Sequence, residues 1–195
     1  IRTLLLILCC CAAESCFIRA SSEPGDVNFY DSHGRVRIFH GGNRVMKGFP
    51  WYFTDMLSSD DEFQLLKQMG VNVVRLGYMW TGAMPSENYF NKTYVDQINK
   101  IVNGLGQHGI YTLLDMHEDV LSSKFCLYDG APLWVVNKSQ PKHEFPWPFT
   151  GNCSSRGWMK NTLTEAAAHA YQDLYDNHEG MLDDLCDFWS RSASY

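Results

Sequence analysis

The feature that most limits what this chain can become is an order of elements that occurs twice: an amphipathic helix, a glycine, and a short apolar strand. In the first pass, Ser58-Ser59-Asp60-Asp61-Glu62 offers an N-cap and an acidic first turn. Phe63, Leu66 and Met69 then recur at helical spacing, and Gly70 ends the helix before Val71-Asn72-Val73-Val74-Arg75-Leu76. In the second pass, Tyr94, Val95, Ile98, Ile101, Val102 and Leu105 share one helical face, His108-Gly109 stops it, and Ile110-Tyr111-Thr112-Leu113-Leu114 follows. Short apolar runs of this kind suit strands buried on both faces of a parallel sheet, and parallel neighbours need a crossover, usually a helix. The order therefore predicts an α/β fold. An open nucleotide-binding sheet would carry a glycine-rich phosphate loop between strand and helix, and neither G-x-G-x-x-G nor a P-loop is present. A (β/α)8 barrel is the remaining expectation. Such barrels place their chemistry at the C-terminal ends of strands. Here both strands run into polar or aromatic residues: Arg75 with Trp80, then Asp115, His117 and Asp119.

Around these two passes the chain is organised more loosely. Asp31-Ser32-His33-Gly34-Arg35 is a polar turn between Phe29-Tyr30 and the alternating Val36-Arg37-Ile38-Phe39-His40, which predicts a hairpin. From about Val120 to Lys160 the sequence is irregular and rich in Trp, Phe, Pro and Gly, a length and composition that mark a functional loop rather than disorder. Helical signals resume from Leu163 to Tyr175 and from Met181 to Trp189. The formal net charge of -6 argues against a nucleic-acid surface, which needs Lys and Arg to neutralise phosphates. A neutral polar substrate fits better, and the 11 Phe, 10 Tyr and 6 Trp could stack on its rings.

The N-terminus, Leu4 to Ala13 behind Arg2, is an apolar run too short to span a bilayer and has the anatomy of a signal peptide, expected over residues 1–20. The chain starts at Ile1 rather than Met and is expected to be truncated there. Asn91-Lys92-Thr93, Asn137-Lys138-Ser139 and Asn152-Cys153-Ser154 are glycosylation acceptor patterns consistent with secretion, in a lysosomal or extracellular setting. Removal of the signal would take away Cys9, Cys10, Cys11 and Cys16 and leave Cys126, Cys153 and Cys186. The expected pairing is Cys126 with Cys153 across the aromatic loop, with Cys186 free or paired elsewhere. None of the three lies in a CxxC spacing, so no zinc site is expected. No cofactor motif is present, and oligomeric state is not legible.

Four blocks, Asp31 to Arg35, Gly42-Asn43-Arg44-Val45-Met46-Lys47, Gly70 to Trp80 and Leu113 to Val120, together resemble endoglycoceramidases, retaining β-glycosidases of glycoside hydrolase family 5. The resemblance runs from about Phe29 to Trp189. It implies a (β/α)8 barrel, of which residues 21–195 would hold the N-terminal three to four β/α units. It also implies hydrolysis of the bond between oligosaccharide and ceramide by two glutamates on later strands. Those are expected beyond Tyr195, because none of Glu87, Glu118, Glu144, Glu165 and Glu179 lies in an Asn-Glu-Pro context at a strand end. Retention needs two carboxyls about 5 to 5.5 Å apart. Expressed alone, the chain is expected to aggregate through open sheet edges and to show no glycosidase activity.

By the same resemblance, His117 and Asp119 hydrogen-bond sugar hydroxyls, Lys47 reaches an outer sugar, and Arg75 supports the nucleophile carboxylate or else forms a structural ion pair. Trp80, Trp134 and Trp147 stack on sugar, border a lipid groove or pack in the core. Glu118 is not expected to be catalytic: strand neighbours point to opposite sides, and the family usually carries Gln there. The expected partner is a glycolipid or oligosaccharide, with peripheral contact to a lipid surface compatible. Three other readings stay open: a β-glucan hydrolase of the same family, a catalytically dead glycan-binding protein, and a metal hydrolase using Asp115, His117 and Asp119.

Overall fold

A computed structural model describes residues 18–126 and 130–195, so the expected signal segment and its four cysteines lie outside the described residues apart from the stretch after Phe17. The described residues fall into two compact units. The first gathers the described part of Ile1–Val45 with Tyr52–Gly77 and Asp96–Asp115; the second gathers Met46–Trp51, Tyr78–Val95 and Met116–Tyr195.

In the first unit, β1 (Arg19–Ala20), β2 (Phe29–Tyr30) and β3 (Val36–Arg37) form a small antiparallel sheet. The expected hairpin is its second half, with Tyr30 opposite Val36. Asp31 holds the turn: its buried carboxylate accepts from the backbone N–H groups of His33 and Arg35, both at 2.9 Å, and is paired with Arg35 and Arg37.

The second sheet is parallel and runs β4 (Gly41–Arg44), β5 (Val73–Gly77), β6 (Tyr111–Asp115) in sequence order. Between its strands run α1 (Asp61–Gln68) and α3 (Lys92–Gln107), the latter after the short α2 (Trp80–Ala83). The two predicted strands are shifted by a residue or two, ending at Gly77 and Asp115. All six apolar residues read as the face of α3 are buried, with Ile101 and Leu105 fully so. In α1 the stripe is narrower than expected: Phe63 is 3% exposed but Met69, just past the helix, is 68% exposed. Gly104 of α3 is required by Phe63, since a Cβ there would meet the ring at 2.5 Å. Strand β4 is an addition to the expected elements. Its Gly-Gly-Asn-Arg sequence carries no apolar signal, yet Gly41 is fixed by packing, because a Cβ would lie 1.7 Å from the Val73 carbonyl oxygen. Among the described residues, then, the architecture is a three-stranded parallel sheet with helical crossovers and not a closed ring.

The second unit is helical: α4 (Leu133–Val136), α5 (Trp158–Thr162), α6 (Glu165–Tyr175) and α7 (Met181–Ser194) follow a long loop. The Thr164 hydroxyl caps α6 by accepting from Ala167 N, and Ala166, Ala167 and Ala170 are buried on its packed face. Aromatic rings fill the core: Tyr78 stacks on Phe188 at 5.3 Å and on Tyr94 at 5.8 Å, and its hydroxyl donates to Ser192 at 2.7 Å. Burial pushes the Tyr78 phenol up to about 12. The expected Cys126–Cys153 disulfide is present, and Cys186 is an exposed free thiol on α7.

Candidate functional site

The predicted polar residues form one group in each unit. In the first unit, Arg75 in the middle of β5 and Asp115 at the C-terminal end of β6 lie on adjacent parallel strands, with Arg75 in register with Leu113 and Gly77 with Asp115. The Arg75 guanidinium donates to Asp115 Oδ1 at 2.7 Å. Asp115 is mostly buried, with 13% of its side chain accessible, while Arg75 keeps 39%. Arg75 is thus in an ion pair in this structure, with exposed surface left for a further contact. Nothing in the local sequence marks Asp115 as its partner.

In the second unit, the segment after β6 brings His117 and Asp119 together: His117 Nε2 lies 3.5 Å from Asp119 Oδ1. The other Asp119 oxygen accepts a short hydrogen bond from Lys47 Nζ. Burial pushes the Asp119 carboxyl up, but the Lys47 hydrogen bond and charge, with His117 nearby, outweigh it and hold the group below its ordinary value. Asp119 therefore stays a carboxylate acceptor at any pH near neutrality, flanked by a cation and an imidazole. That set of donors and acceptors is suited to vicinal hydroxyls, each of which can give one hydrogen bond and take another.

Glu118, like His117 and Asp119, lies past the end of β6, so strand alternation does not set its direction. Its Oε2 is buried with no hydrogen-bond partner among the described residues, and its Cβ lies so near Gly130 that a Cβ on that glycine would meet it at 2.7 Å. Burial raises the Glu118 carboxyl to about 7. Tyr171 of α6 is raised to about 12, by burial first and then by the Glu118 charge.

The tryptophans separate. Trp80 is fully buried and packs 5.9 Å from Phe188, so in this structure it is a core ring with no face for a ligand. Trp134 donates from Nε1 to the Met84 carbonyl at 3.0 Å and has Lys138 over its ring at 5.4 Å. Trp147 is 48% exposed and stacks on His143 at 4.2 Å. An aromatic not singled out from the sequence, Phe49, is 86% exposed two residues beyond Lys47. Among the three acceptor asparagines, Asn137 and Asn152 are exposed, while Asn91 uses its amide, donating to the Gly82 carbonyl and accepting from Tyr94 N at the start of α3. Among the described residues, no group of three or more His, Cys, Asp or Glu is disposed to hold a metal ion.

Known proteins are similar to this chain in sequence and in fold. Residues 34–185 match the family model described as Cellulase (glycosyl hydrolase family 5). An endoglycoceramidase of Hydra vulgaris is 39% identical over 182 residues, covering 84% of this chain and 35% of that protein. One from Cyanea nozakii is 37% identical over 191 residues, covering 89% and 38%. The chain thus spans little more than a third of the length of these relatives. The fold is similar to that of endo-glycoceramidase II from Rhodococcus sp., described as a lactosyl-enzyme intermediate, with a TM-score of 0.68 at 21% identity over 84% of this chain and 38% of that one.

Proposed function

Since this chain belongs to glycosyl hydrolase family 5, the cellulase family, we propose that it forms the saccharide-holding side of a β-glycosidase acting on glycosphingolipids. The observation that carries the reading is the Lys47, Asp119 and His117 cluster, which joins a cation, a carboxylate held ionised and an imidazole at the segment following a parallel strand. Its donors and acceptors complement sugar hydroxyls, and the two relatives at 37–39% identity are both endoglycoceramidases.

The chain supplies the first three strands of a (β/α)8 barrel, with β4, β5 and β6 as consecutive staves. Within the first unit, Arg75 and Asp115 form an ion pair on two adjacent strands. The acid/base and nucleophile carboxyls of a retaining mechanism, about 5 to 5.5 Å apart, come from sequence outside residues 1–195, so the chain alone binds saccharide without cutting it. The apolar N-terminal run and the exposed acceptor residues Asn137 and Asn152 support passage through the secretory pathway.

The experiment is to incubate the chain with lactosylceramide in detergent micelles and to titrate it separately with free lactose. With detergent present in both arms to shield the open sheet edges, the reading expects saturable lactose binding and no release of ceramide. Cleavage by the isolated chain would overturn the division of labour, and a preference for cello-oligosaccharides over lactose would favour a β-glucan hydrolase, which the family's description as cellulases supports.

A further inference from the structure

Glu118 stands between two residues assigned to the saccharide, His117 and Asp119, while its own carboxyl has no place in that assignment. Its Oε2 is buried and has no hydrogen-bond partner among the described residues. A carboxylate in such a place is strongly disfavoured, because burial removes its water and nothing replaces it; the neutral acid tolerates the same surroundings far better.

Close packing fixes where the acid sits. A Cβ on Gly130 would meet the Glu118 Cβ at 2.7 Å and the Leu121 carbonyl oxygen at 2.5 Å. That Leu121 carbonyl accepts from Ala131 N at 2.6 Å, and the Gly130 carbonyl accepts from Thr81 N at 3.2 Å. Residues 116–122 are thus joined to residues 130–131 in a narrow neck, all within the second unit, with Glu118 against its closing glycine.

The elements packed around the neck supply no cation to the Glu118 carboxyl. From α6, Tyr171 is within electrostatic reach, and the Glu118 and Asp119 charges both raise its phenol. The short helix α2 brings neither an acidic nor a basic residue, and residues 130–131 are Gly and Ala. On the segment itself Asp119 is an anion that engages both Lys47 and His117. Burial raises the Glu118 carboxyl to about 7, so its proton is exchanged in the neutral range.

We propose that Glu118 is a positioning residue for His117 and Asp119: its neutral form lets the neck close and its carboxylate loosens it, so that saccharide is held more tightly below neutrality than above. The proposal rests on the saccharide-holding reading of that site. Once ionised, the carboxyl regains hydrogen bonds by turning toward water, and the chain carries that displacement directly into the residues on either side.

The test has one arm without sugar and one with it, both on the full chain in the same detergent. In the first, amide exchange of Ala131 is followed by NMR from about pH 5.5 to about pH 8.5, each rate being divided by the intrinsic rate at that pH. Circular dichroism checks that the chain stays folded throughout. The parent's protection is expected to fall at least about fivefold across the range, and that of Glu118→Gln, which keeps the shape without the charge, to stay level. In the second arm, the parent's affinity for free lactose is expected to drop at least about fivefold over the same range, while Glu118→Gln keeps the parent's acid affinity. An imidazole also titrates in this range, so the slope due to His117 is common to both proteins and only their difference is ascribed to Glu118. Level protection in the parent, an equal fall in both proteins, or identical lactose profiles would overturn the proposal. Absence of lactose binding at every pH would instead sink the saccharide reading, and Ala131 exchange then decides by itself whether Glu118 sets the neck.

Discussion

Lys47 donates a hydrogen bond to the Asp119 carboxylate across 72 residues of sequence, and the same carboxylate faces the His117 ring. The pair keeps substantial exposure, 37% for the lysine and 25% for the aspartate side chain. A half-exposed ion pair contributes little to stability, roughly 0 to 1 kcal/mol. Lys47→Met, Asp119→Asn and the double variant are therefore expected to give a coupling below about 1 kcal/mol in urea unfolding. The sign with pH is fixed by the lowered Asp119 value: whatever stability it gives is present at neutral pH and is lost as pH falls below the usual carboxylate range. A coupling of several kcal/mol would make the pair a structural strut rather than a binding group.

Glu118 acts with the opposite sign. Its folded value near 7 exceeds the ordinary 4.5, so between those limits the folded chain keeps a proton that the unfolded chain has released. Stability falls as pH rises through that window, and the penalty is complete above it. Glu118→Gln, which keeps the shape and removes the charge, is expected to raise unfolding free energy by up to about 3 kcal/mol at pH 8 and to change it little at pH 4. Chemical denaturation at the two pH values checks this, and a variant destabilised at pH 8 would contradict it.

The disulfide between Cys126 and Cys153, with a sequence separation of 27, clamps the aromatic loop. Replacing both cysteines with serine is expected to lower stability by roughly 3 kcal/mol. Limited proteolysis should then cut between the two positions sooner than elsewhere.

Gly41→Ala is expected to destabilise the chain by about 2 kcal/mol or more, because the new methyl would collide with the Val73 carbonyl across the β4–β5 ladder. Gly42→Ala, whose methyl would have nothing within 4 Å of it, is expected to fall within about 1 kcal/mol of the parent. Thermal melts of the two variants compare them directly.

These residues also show where the sequence was readable. Strands β5 and β6 and helix α3 were legible because burial imposes a periodicity, and Ile98, Ile101 and Leu105 obey it without exception. Strand β4 was not, since Gly41-Gly42-Asn43-Arg44 is held by backbone pairing and close approach, which leave no hydrophobic pattern. His117 and Asp119 could be named because they stand in a block, Leu113 to Val120, that carries the family resemblance just past a strand. The bond of Lys47 to Asp119, and that of Arg75 to Asp115, depend on tertiary placement that no local spacing encodes. Trp80 was ambiguous for a related reason: a tryptophan after a strand serves a core or a ligand equally well until its neighbours are known, and here they are Phe188 and the rest of an aromatic core.

Whether Lys47, Asp119 and His117 hold a sugar, as proposed, is decided by calorimetric titration of the 195-residue chain with free lactose. Saturable binding is expected, weakened at least about tenfold in Asp119→Asn and in Lys47→Met while the melting temperature stays within a few degrees of the parent. A folded chain that shows no saturable binding, or one whose affinity is the same in all three proteins, would contradict it.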